Sequence, residues 1–220
     1  MIPSPLPPRA LRHAFSLVEL LVALSIISVL AYVLAPVIGK AVERSREARC
    51  ASNLRQLHVA MLGYANDNQG IIIYNLPPNP PPHIWSDGLV PYLAMNRNTY
   101  GLSGERPTGV FACPASENLC NGGSRSDYGK NFAVNGDNPT RPALRLQSLS
   151  QPGETIFLVD SGTAGGQCSR DVASWMGPNW NLRFSHFGRA NLLFFDGHVE
   201  GRALADIPLD ASKAPWAPNP

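Results

Sequence analysis

The stretch Arg12–Leu30, RHAFSLVELLVALSIISVL, sets one glutamate, Glu19, near the head of an otherwise uncharged apolar run. The uncharged segment continues from Leu20 to Gly39, about 20 residues, or about 30 Å as a helix, which is the thickness of a bilayer's hydrocarbon core. The segment before it, MIPSPLPPRALRHA, carries Arg9, Arg12 and His13 and no acid. Positive charge on that side predicts that the N-terminus stays in the cytoplasm while the rest crosses. A cleaved secretory signal also begins with a basic and then an apolar region. Against that reading stand Glu19 at the mouth of the apolar run, the length of the run and the want of a small-x-small cleavage site.

Downstream, KAVERSREARCASNLRQLHVAMLGYANDNQG keeps a helical period. Cys50, Ala51, Leu54, Leu57, His58, Met61, Tyr64 and Ala65 recur at spacings of three and four, with Arg46, Arg49, Asn53, Arg55 and Gln56 on the other faces. No turn cluster separates the two halves. The pattern therefore predicts one helix from Phe15 to Asn66, about 80 Å long, kinked by Pro36 and stopped by Asn66, Asn68 and Gly70. A stripe of this kind docks a helix on a domain.

The chain has 220 residues, 44% hydrophobic and 15% charged, which is enough for one modest domain beside the helix. Its 21 prolines and 19 glycines predict a loop-rich domain of short strands. Net charge is +2, and loss of Arg9 and Arg12 with a leader brings it to zero, so nothing global points to nucleic acid. IIIY, TIFLVDS, ANLLFF and HVEGRAL read as strands, IWSDGLVPYLAM as a short helix ending in extended chain, and NLPPNPPPH as a loop. Asp196-Gly197 reads as a two-residue hairpin of type I′, and the tail after Asp206 as a surface loop.

Taken together, the basic leader, the small residue before FSLVELLVALSIISVLAYVLAP, Glu19 and Pro36 resemble the type IV prepilin class, that is, type IV pilins and type II secretion pseudopilins. The resemblance implies an α+β, pilin-like fold in which a long N-terminal helix, transmembrane then amphipathic, packs on a small antiparallel sheet. It implies a leader at 1–14, a transmembrane and assembly half of the helix at 15–39, an amphipathic half at 40–69 and a loop-rich β domain at 70–220. A prepilin peptidase is expected to cut between Ala14 and Phe15 and to methylate the Phe15 amine. The family nearly always carries glycine where this chain has Ala14. CASNLRQLHVAMLGYANDNQG, FACPAS, DYGKNFAVN, ETIFLVDS and HFGRANLLFFDGHVEG resemble a pseudopilin-like subgroup named for a histidine, nine residues and Asp-Gly, here His186 and Asp196-Gly197.

A carboxylate in hydrocarbon costs several kcal/mol unless it is paired or near the interface. Within one helix Glu19 finds poor candidates, since Arg12 and His13 lie outside the cut and Lys40 is about 30 Å away. In the family the partner is the neighbouring subunit's first amine, here that of Phe15. The partners so implied are other pilin-like subunits, in a homo- or hetero-oligomer, the prepilin peptidase, inner-membrane secretion or pilus machinery and the lipid bilayer, with the C-terminal domain periplasmic or extracellular. The rival is a membrane-anchored binding or enzymatic domain that uses the helix only as an anchor.

His186, Asp196, His198 and Asp160 offer imidazole and carboxylate ligands, yet a structural hairpin explains Asp196 and a loop bridge explains His186. Major pseudopilins bind calcium in a C-terminal loop. Asp160, Asp196, Asp206 and Asp210 supply oxygens of that kind, without a compact calcium loop to hold them. No nucleophile–base–orienter set, phosphate loop or CxxC pair is present in the sequence, so neither catalysis nor a cofactor is expected. Cys50, Cys113, Cys120 and Cys168 allow three complete pairings. A Cys113–Cys120 bridge would close a small loop and a Cys50–Cys113 bridge would staple domain to helix, with free buried thiols as the third choice.

Overall fold

The structure is a computed structural model that describes residues 16–73, 85–95, 108–116, 126–131, 134, 144–162, 171–172, 182–208 and 216. The leader 1–14, Phe15, Tyr74 of IIIY, the loop NLPPNPPPH, Cys120, Cys168 and Asp210 lie outside the described residues. The chain divides into two compact units, Met1–Val42 and Glu43–Pro220.

Helix α1 covers Leu17–Asp67, 51 residues, and passes through Pro36 unbroken. Pro36 has no N–H for the Tyr32 carbonyl one turn back, and the helix is continued by the bonds on either side. In the first unit, large apolar side chains from Leu17 to Ile38 stand 49% to 84% exposed. Among the described residues this is the one helix long and apolar enough to cross a membrane, judged by length and composition.

In the second unit α1 buries Cys50, Asn53, Leu54, Leu57, His58, Ala60, Met61 and Ala65. Burial thus begins at Cys50, although the amphipathic pattern begins at Lys40. Asn53, expected on an outer face, is 7% exposed because its Nδ2 donates to the Ala112 carbonyl at 2.8 Å. Ala51 and Tyr64, expected in the stripe, are only half-buried. The helix ends in a Schellman arrangement: Gln69 takes a left-handed φ of 57°, and the Gly70 amide donates to the Ala65 carbonyl at 2.7 Å.

Five strands form one sheet in the order β3-β1-β2-β4-β5: β1 Tyr128–Asn131, β2 Ile156–Asp160, β3 Asp171–Val172, β4 Arg189–Phe194 and β5 Val199–Ala203. The pairs β1–β2, β2–β4 and β4–β5 are antiparallel, and the two-residue β3 joins β1 in parallel. Of IIIY, the described residues 71–73 form no strand. Ile71 makes a single bridge to Arg145, while Ile72 and Ile73 bury their side chains in the core. IWSDGLVPYLAM gives helix α2, Trp85–Leu89, then a 3-10 turn at Val90–Tyr92 and extended chain at Leu93.

Along β4 successive side chains alternate between two cores. Leu193 and Phe195 join Leu54, Leu57, Met61 and Tyr128 under the helix, whereas Leu192 and Phe194 join Ile156, Val159, Ile207 and Trp216. A register shift between Ile156 and Leu158 sends both Phe157 and Leu158 to the helix side. The tail after Asp206 is not a surface loop at its far end. Trp216 is fully buried, donates from Nε1 to the Pro208 carbonyl at 2.8 Å, and accepts from Asn131 Nδ2 at 2.7 Å.

Candidate functional site

At the head of α1, Ser16 and Glu19 close on each other. The Ser16 amide donates to Glu19 Oε2 at 2.9 Å and the Glu19 amide to Ser16 Oγ at 3.2 Å. This is a capping box, and it gives the glutamate a partner inside its own helix that is not a cation. The signal was in the sequence, since Ser16-Leu17-Val18-Glu19 has the required spacing. Ala14 and Phe15, the expected cleavage pair, lie outside the described residues.

The second cluster lies under the sheet. Cys50 of α1 is bonded to Cys113 of the loop after the 3-10 turn Gly109–Phe111. Hydrogen bonds hold each side of the bridge: in the loop the Cys113 amide donates to Asp127 Oδ2 at 2.8 Å, and on α1 the Cys50 carbonyl accepts from Tyr128 Oη at 3.4 Å. His186, wholly buried, places Nε2 3.5 Å from Cys113 Sγ and 3.2 Å from Asp160 Oδ2. The Asn191 amide donates to the same Asp160 oxygen at 2.7 Å. Burial pushes the His186 pKa down. The Asp160 hydrogen bond and charge, helped by Glu47 and Glu43, more than offset this and leave it above the ordinary 6.5.

His186 is fixed by a tight turn: its amide donates to the Arg189 carbonyl at 3.1 Å, and the Arg189 amide donates back at 2.8 Å. The two central residues, Phe187 and Gly188, both have positive φ, 50° and 76°, so the type I′ turn sits here. At Asp196-Gly197 the expected I′ turn is replaced by a three-residue loop, Phe195-Asp196-Gly197. The Gly197 amide donates to the Phe194 carbonyl at 3.0 Å, and of the three only Gly197 has positive φ, 93°. That is a type I turn closed by a glycine bulge. The nine residues between His186 and Asp196 thus span β4 and the turn residues at its two ends, and the motif's histidine and aspartate do not meet.

The tip of this hairpin docks on α1. His58 Nε2 stands 3.0 Å from the Phe195 carbonyl, and a Cβ on Gly197 would come within 2.8 Å of the His58 ring. Asp196 Oδ1 accepts from the His198 amide at 3.0 Å and faces His198 Nδ1 at 2.6 Å, in the open. The four residues weighed as a metal set therefore split into a buried pair, His186–Asp160, and an exposed pair, Asp196–His198. Asp160, Asp196 and Asp206 form no ligand group. Among the described residues the one such group is Cys50, Cys113 and His186.

Residues 9–34 match the prokaryotic N-terminal methylation motif. The N-terminus is therefore that of a type IV pilin-like prepilin, a substrate of prepilin peptidase, and with the apolar half of α1 it fits a single-pass, membrane-anchored protein. No curated protein and no solved structure matches the chain.

Proposed function

We propose that this chain is a pseudopilin-like structural subunit, cut before Phe15, methylated there, and polymerised through its N-terminal helices into a type II secretion pseudopilus or a related pilus-like filament. Its work is mechanical rather than enzymatic. The observation that carries the reading is the methylation motif at residues 9–34 running into a helix whose apolar side chains are exposed from Leu17 to Ile38. Surface of that kind needs lipid before assembly and other helices after it. A carboxylate accepts at two oxygens, so Glu19 keeps its own cap while a second subunit's Phe15 amine pairs with it. The leader stays cytoplasmic and the second unit lies on the far side of the inner membrane.

The test is the intact mass and N-terminal sequence of the protein taken from membranes of its host. The expected result is a chain beginning at N-methylated Phe15. A chain that still carries Arg9 and Arg12 overturns the filament reading, because the Glu19 pair then has no amine.

A further inference from the structure

The first residues of the second unit sort their charges by face. Glu43 and Glu47 are half-buried. Glu43 pairs with Arg46 at 3.6 Å, Glu47 Oε1 stands 3.8 Å from where a Cβ on Gly201 of β5 would lie, and both carboxylates act on His186 through their charge. The acids are thus offset within the helix or turned toward the sheet. Arg44 and Arg49 are exposed, and among the described residues neither has an ion-pair partner. Within this unit the first exposed acid of α1 is Asp67, which accepts from Tyr92 Oη. The outer face of α1 therefore shows positive charge alone at Arg44, Arg49 and Arg55, a separation that the mixed run ERSREAR conceals.

Position identifies what meets that charge. The uncharged run, whose large apolar side chains stand exposed from Leu17 to Ile38, ends at Gly39. Arg44 and Arg49 follow Gly39 by five and ten residues, and Arg55 by sixteen. At a helix's rise these are about 8, 15 and 24 Å. The headgroup layer is about 5–8 Å deep on each side of a bilayer's hydrocarbon core. Arg44 thus stands at its edge, Arg49 within the screening distance of about 10 Å beyond it, and Arg55 outside that distance.

We propose that Arg44 and Arg49 bind the headgroup phosphates of anionic phospholipids in the leaflet next to the second unit. A guanidinium presents paired N–H donors that match a phosphate in a two-point contact. A zwitterionic headgroup carries its own cation beside the phosphate, so an unpaired arginine selects the lipid with net negative charge. The inference rests on the membrane anchor and stands whether or not the chain polymerises.

The test uses the full chain in phosphatidylcholine vesicles that hold a trace of spin-labelled phosphatidylglycerol or, in a parallel sample, spin-labelled phosphatidylcholine. Electron paramagnetic resonance reads the fraction of each label slowed against the protein. The ratio of anionic to zwitterionic label so held should be about fivefold higher for the native chain than for Arg44→Gln with Arg49→Gln. Salt at about 1 M, which screens charges beyond about 3 Å, should remove the difference. Arg9 and Arg12 are common to both chains and cancel. Arg55→Gln, which removes an exposed charge out of reach of the headgroups, should leave the ratio as it is. An equal ratio in native and variant chains, a difference that persists in salt, or an equal fall with Arg55→Gln each overturns the inference. So does a variant that loses cross-linked multimers at an unchanged ratio, which gives this face to a second copy. A chain washed from the vesicles at alkaline pH overturns the inference together with the anchor, whereas an inserted chain without lipid preference overturns the inference alone.

Discussion

Gly197 and Gly188 both sit at positive φ, yet they stand under different constraints. Gly197→Ala must strain the backbone and drive a methyl into the His58 ring, 2.8 Å from its built position, whereas nothing lies within 4 Å of a Cβ on Gly188. In urea unfolding we expect a loss of about 2–4 kcal/mol for Gly197→Ala and about 1 kcal/mol for Gly188→Ala; equal losses would mean that the hairpin tip does not dock on α1. Asp196 gives a pH prediction. Its slight burial raises the carboxyl pKa, but the His198 amide and ring outweigh this and hold it below the ordinary 3.8. A depressed carboxylate stabilises the fold fully above its unfolded value and loses that contribution as pH falls through the folded one. Carboxyl-carbon NMR should place the midpoint below 3.8, and Asp196→Asn should remove the acid-side decline due to this group. Glu19→Gln separates two roles, since glutamine still closes a capping box but carries no charge. Helix content should hold while cross-linked multimers disappear; multimers that survive exclude the amine pair.

At the scale of elements, α1 was legible almost to the residue, expected at Phe15–Asn66 and found at Leu17–Asp67. Period, cap and stop agree there, and each is a local signal. Strand β1 was not legible. Tyr128, Gly129, Lys130 and Asn131 are all buried, so the alternation that marks a half-exposed strand never arises, and its place is set by β2 and the buried tail. The type I′ turn expected at Asp196-Gly197 is absent there for the same reason: Asp-Gly is a strong local signal, but Phe187-Gly188, which carried no such expectation, takes the I′ geometry because the cross-strand bonds of His186 and Arg189 demand it. The disulfide closes a sequence separation of 63 residues, worth about 4 kcal/mol from the unfolded chain's lost freedom. Cys50→Ser with Cys113→Ser should lower unfolding stability by about that amount; no loss would mean that packing alone holds the loop.

For the molecule as a whole, the sequence disclosed that a long helix meets a small β domain, and hid what covers the sheet's second face. Ile207 and Trp216 do so from a tail that composition marks as loop, because proline and alanine carry no period and one tryptophan carries no pattern. Trp216→Ala should cost about 3–5 kcal/mol and expose Phe194 and Leu192; unchanged thermal unfolding would show that the tail is dispensable. The Cys50–Cys113 bond also governs how the chain responds to tension. A load applied along α1 crosses at Cys50 to Cys113 through a covalent bond, so the 63-residue separation between them is left out of the load path. Stretched from its two ends, the protein should come up short by roughly 210 Å of contour, length that returns only after the sulfur bridge is cut.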